Sequence, residues 1–137
     1  ARAFRYANLR SAMAEEGVIR LMMRDDDLYD KLRVLRPEEF SSPLLGKIYS
    51  LLCADREAGR PHSMAALGGI LSPEEMSHFT AILQKPESVS GAEQALSDYI
   101  RIIREEAVRQ FGGDELDPLL AAQEKYKFKK GYGGKNL

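Results

Sequence analysis

The residues able to do chemistry in this 137-residue chain are few and scattered. The densest acidic group is Asp25-Asp26-Asp27, set between two apolar segments in "AEEGVIRLMMRDDDLYDKL". Cation loops need about six oxygen ligands at fixed offsets, and nothing flanking the run supplies them. An aspartate can instead accept from the free N–H groups of a helix's first turn. The run is therefore expected to end one helix and cap the next. Glu15-Glu16, Glu38-Glu39, Glu74-Glu75 and Glu105-Glu106 are candidate acid/base pairs. The second and third follow prolines in first turns, where capping accounts for them, and the other two are expected on helix surface.

His62 and His78 are the only histidines, and neither has a cysteine or histidine at ligand spacing. No catalytic residue, metal ligand or cofactor is assigned on these grounds. Cys53 is the single cysteine, beside an apolar stripe with nothing basic nearby to lower its pKa. It is expected to be a half-buried structural thiol, and it leaves no internal disulfide, so a reducing, cytoplasmic setting is expected. The glycine pairs follow no strand and match no phosphate loop. Met22-Met23 is expected to fill core. Arg101, Arg104 and Arg109 are expected on a solvated helix face.

The C-terminal end is different. "AAQEKYKFKKGYGG" sets Tyr126, Phe128 and Tyr132 among lysines. Such a segment can bind single-stranded nucleic acid by phosphate attraction and stacking, or anchor a protein partner. Residues 1–118 carry 15 Lys+Arg and 20 Asp+Glu, whereas residues 119–137 carry five Lys and one Glu. An acidic body thus ends in a basic tail, a common form of interaction tail.

These groups must be positioned by helices. Hydrophobic residues make up 44% of the chain, enough to predict folding, and β-branched residues are sparse. The apolar period is 3.6 almost throughout. It predicts a helix over about 3–24 and a short helix through Leu28, Leu32 and Leu35. Ser42-Pro43 should open a helix carrying Leu44, Leu45, Ile48, Leu51 and Leu52. A weak helix is expected over Ser63–Ile70. Ser72 with Glu75, and Ser90 with Glu93, read as capping boxes opening two more. Gly112-Gly113 should break the chain, and Asp117-Pro118 should restart it. The fold class is all-α, a helical bundle over 1–111 with a C-terminal helix and basic tail over 112–137 after a Gly-Gly hinge. No run of about 18 apolar residues or signal peptide is present, so no membrane association is expected. A start in mid-pattern without Met suggests a piece of something longer.

"AEEGVIRLMMRDDDLYDKL" followed by "LRPEEFSSPLLGKIYSLL", then "LSPEEMSHFTAIL" and "AEQALSDYIRIIREE", resembles the C-terminal helicase-binding domain of bacterial DNA primase. That resemblance implies a non-catalytic bundle and helical hairpin that docks on the hexameric replicative helicase, coupling primer synthesis to the fork. It implies no cofactor, weak or absent direct nucleic-acid contact, and single-stranded DNA-binding protein as a further candidate partner. The contact residues expected from it are Leu119, Leu120, Tyr126 and Phe128 as anchors, with Lys127 and Lys130 beside them. The same segments also resemble the N-terminal domain of the replicative helicase itself, and the lysine- and glycine-rich ending favours primase. Two other classes stay open: a single-stranded nucleic-acid binder using the tail, and a small carboxylate enzyme.

Overall fold

A computed structural model describes residues 5–32, 34–88 and 90–124, with side chains as far as residue 110. The described residues are helical and contain no strand. Six helices follow in order: α1 (Leu9–Arg24), α2 (Tyr29–Leu32), α3 (Pro43–Glu57), α4 (Met64–Gly68), α5 (Pro73–Gln84) and α6 (Ala92–Glu124). Single 3-10 turns at Asp26–Leu28 and Pro37–Glu39 lie between α1 and α3. The chain divides into two units, residues 1–103 and 104–137.

The first unit is built around α1, which begins later than its periodicity suggests. Asn8 is the N-cap, its side chain accepting from the Ser11 amide at 3.1 Å. At its other end Asp25 has the role expected from its type. It caps α1 through its own amide and accepts from the Asp27 amide to start the next turn, while Asp26 and Asp27 stand exposed. Leu28, Tyr29 and Leu32 then return to the core.

Ser42 caps α3 in front of Pro43, and Ser72 with Glu75 forms the predicted capping box of α5. The start of α6 differs from expectation. Gly91, with φ of 72°, immediately precedes the helix, and Ser90 donates to the Ser88 side chain. That left-handed conformation favours glycine, so backbone freedom rather than a serine cap admits the chain to α6.

The break expected at Gly112-Gly113 is not seen, because α6 runs through it to Glu124. A glycine costs a helix about 1 kcal/mol and an interior proline about 3, so this sequence weakens the helix at 112–118 without forbidding it.

Val18, Ile19, Leu21, Leu45, Ile48, Tyr49, Leu52, Phe79, Ile82, Leu96 and Ile103 form the centre of the core of the first unit. Tyr49 is wholly buried, stacks on Phe40 with centroids 4.7 Å apart, and aims its hydroxyl at the carbonyls of Leu32 and Leu35, each at 2.6 Å. It thereby satisfies the carbonyl end of α2, which is too short to close its own hydrogen bonds. Met22 fills core as expected, and Cys53 is half-buried. Burial pushes the Cys53 thiol above its ordinary pKa, the behaviour of a structural cysteine.

Candidate functional site

The polar chemistry of the first unit converges on the face of α1 that carries Glu15, Glu16 and Arg20. Sequence reasoning placed both glutamates on helix surface, and the structure corrects this: Glu15 is 0% exposed and Glu16 is 1% exposed. Their burial depends on donors brought from distant segments, which periodicity cannot show.

Glu15 faces the entry of α3. It accepts from the Ser41 amide at 2.8 Å, the Ser41 hydroxyl at 2.7 Å, the Ser42 amide at 3.2 Å and the Ser11 hydroxyl at 2.6 Å. Three of these donors meet Oε2 and one meets Oε1, so both carboxylate oxygens are engaged. A buried carboxylate held by so many donors is a joint rather than a base.

Glu16 lies in a second group. Its carboxylate takes the Lys85 ammonium at 2.6 Å, the Arg20 guanidinium at 3.5 Å and the Tyr6 hydroxyl at 2.7 Å. The Tyr6 hydroxyl also lies 2.5 Å from His78 Nε2, with the two rings edge to face. The single Tyr6 proton is directed to Glu16, so the His78 nitrogen beside it is the N–H partner. Burial raises the Tyr6 pKa and lowers that of His78. Arg20 continues to Glu87 at 3.0 Å, and Glu87 accepts from the Tyr99 hydroxyl at 2.8 Å. Arg24 completes the set by donating to the carbonyl of Leu83 in the last turn of α5 and to those of Lys85 and Glu87 past its end. A cation at carbonyls left open by a helix end is the arrangement the helix dipole favours.

Beside this network, α1 and the first part of α6 enclose an open groove of about 580 Å³. Its apolar lining includes Leu9, Met13 and Ile102, and Arg10 and Lys85 also border it. Leu9 is 63% exposed and Met13 39%. The groove can exist because Gly17 lets α6 come close: a Cβ there would overlap the Tyr99 ring.

The remaining candidates are dispersed. Among the described residues no group of three or more His, Cys, Asp or Glu could hold a metal ion. No described helix is long and apolar enough to cross a membrane. Glu74-Glu75 caps α5, and Glu39 accepts from the Arg36 amide. Glu106 pairs with Arg109 at 2.6 Å within the second unit, and Arg101 pairs with Asp98 at 3.6 Å in the first. Leu119 and Leu120 belong to α6, but their side chains lie outside those described. Tyr126, Lys127, Phe128 and Lys130 lie outside the described residues altogether.

A bundle whose buried acids are all committed to donors suits a structural or interaction module, and its family is settled by comparison. Residues 7–105 match the model of the DnaB-like helicase N-terminal domain. The chain belongs to that family. The primase resemblance is thereby corrected. It rested on segments that primase and helicase bundles share, and the ending that tipped it towards primase lies beyond residue 105. The helicase-type match spans α1 to α5 and the first part of α6, so it contains both buried glutamate joints and the groove. No curated protein and no solved structure matches the chain.

Proposed function

We propose that this chain is the non-catalytic N-terminal domain of a hexameric replicative helicase. In this reading it acts in assembling the ring and docking other replication proteins in the cytoplasm, while a domain outside this chain drives unwinding with ATP. The observation that carries the reading is the family match over residues 7–105. The chemistry of the first unit supports it. Glu15 and Glu16, its fully buried acids on α1, have both carboxylate oxygens engaged by amides, hydroxyls or cations, and hold α1 to the entry of α3 and the exit of α5. A general base instead needs a carboxylate open to a substrate proton.

The partners in this reading are further copies of the helicase, and DNA contact belongs to the motor domain. The test is a chimera in which residues 1–137 replace the N-terminal domain of a bacterial replicative helicase. The chimera should sediment as a hexamer and retain DNA-stimulated ATP hydrolysis, while the isolated chain hydrolyses none. A chimera with a folded N-terminal domain that stays monomeric would overturn the proposal.

A further inference from the structure

We infer that residues 5–8 form an acid-released strap, pinned to the first unit by Tyr6 between Glu16 of α1 and His78 of α5. These residues lie outside any helix, and Arg5 and Ala7 are exposed on either side of a half-buried Tyr6. Tyr6 packs against the core and reaches Glu16, about two turns into α1. Arg5 lines a cleft with Ser42 and Lys47 at the entry of α3 and with Glu75 of α5. The segment therefore crosses from α3 and α5 to α1 before the chain turns into the Asn8 cap.

The pin is a directed chain of three groups. His78 Nε2–H donates to the Tyr6 hydroxyl at 2.5 Å, and that hydroxyl donates to Glu16 at 2.7 Å. The chain needs His78 only as a donor, so the neutral imidazole serves, and a second proton enters at Nδ1. The Tyr6 ring stands edge to face on the imidazole with centroids 5.6 Å apart, so the new charge forms beneath it, screened from water. Lifting Tyr6 returns that water. Charging His78 therefore favours the lifted strap by as much as the closed strap disfavours the charge.

The surroundings give the same sign. Burial disfavours the imidazolium most, Glu16 attracts it, and Lys85, held on Glu16 at 2.6 Å, repels it. Arg20 shares that carboxylate at 3.5 Å, and Glu15 is turned to Ser41 and Ser42. On α5 itself Glu75 is engaged by its own cap and by Lys47 of α3, while Glu74 is exposed. Helix α4, packed on α5, carries no charged residue. The carboxylate facing His78 is thus already shared by two cations, and Tyr6 takes its other oxygen. Release opens that oxygen to water and to the imidazolium, so no buried carboxylate is stranded.

The test is nuclear magnetic resonance of the isotope-labelled full chain between about pH 7.5 and pH 5, where carboxylates stay largely ionised. His62 and His78 are the only histidines, so each imidazole is read separately. As pH falls below the ordinary 6.5, the amide signals of residues 5–8 should move to unstructured positions together with the His78 titration. Those of Ile19 and Ile48 in the core should stay in place. Tyr6→Ala should hold Arg5, Ala7 and Asn8 at the released positions at every pH and raise the His78 midpoint towards 6.5. His78→Gln, which offers a neutral N–H donor at any pH, should keep the strap closed throughout. Strap signals that ignore the His78 titration, or that move equally in His78→Gln, would overturn the inference. So would a His78 midpoint unchanged by Tyr6→Ala, or core amides that move with the strap, because acid would then loosen the whole bundle.

Discussion

Gly17 offers the sharpest test of how α1 and α6 meet. Helix propensity alone says that Gly17→Ala stabilises α1 by about 1 kcal/mol. The structure says the opposite. An added Cβ would overlap the Tyr99 ring, with Cδ2 at 2.9 Å and the neighbouring ring atoms nearer still. The ring cannot swing away freely, because its hydroxyl is held by both oxygens of Glu87 at 2.8 and 3.0 Å. Overpacking of this kind costs about 1–3 kcal/mol. Pulling the hydroxyl off a carboxylate adds about 1 kcal/mol, the charged-bond value discounted for the half-buried position. After the propensity gain is subtracted, a net loss of about 2 kcal/mol remains. Urea unfolding followed by circular dichroism measures it as a lowered midpoint with unchanged slope. The control is Tyr99→Ala: in that background Gly17→Ala should be neutral or stabilising by up to about 1 kcal/mol. A Gly17→Ala variant that is more stable with Tyr99 present, or equally destabilised without it, would refute the reasoning.

Other consequences follow from the same contacts. Glu15→Gln turns an amide NH2 donor towards the Ser41 or Ser42 donors and removes the charge they stabilise, so it should cost about 3 kcal/mol in urea unfolding. Tyr49→Phe removes the buried hydroxyl donor from the Leu35 carbonyl and leaves the Leu32 carbonyl only the Leu35 amide, and should cost about 1–2 kcal/mol. Tyr6 and Tyr49 have pKa values raised by burial, so the folded state holds protons that the unfolded state gives up. Stability should therefore be full below pH 10 and fall as pH rises above it, with tyrosinate absorbance at 295 nm from these two residues appearing only with unfolding. His78 has the reverse sign. Burial lowers its pKa below 6.5, so its contribution is present above pH 6.5 and is lost as pH falls through the folded value, a slope that His78→Gln should flatten. Alanine at both Gly112 and Gly113 should raise helicity at 222 nm, worth about 1 kcal/mol per site, since both lie inside α6.

The sequence by itself determined where most helices start and stop. Ser42-Pro43, Ser72 with Glu75, and Asp25 act through atoms one to three residues away, so their roles are visible in local order. It also determined the core stripes of α1 and α3, because the 3.6-residue period is a property of one helix. It assigned the bundle to primase, since segments common to two families cannot separate them and the deciding ending lay outside the matched region. Only the tertiary structure decided which charged residues are interior. Glu15 meets Ser41 and Ser42 across 26 and 27 residues, and Glu16 meets Lys85 across 69. A carboxylate is stable inside a protein only when donors surround it, and those donors come from segments that become neighbours only after the chain has folded. The groove has the same origin: Leu9 and Ile102 are unremarkable in their own helices and form one surface only because Gly17 lets Tyr99 bring α6 down onto α1.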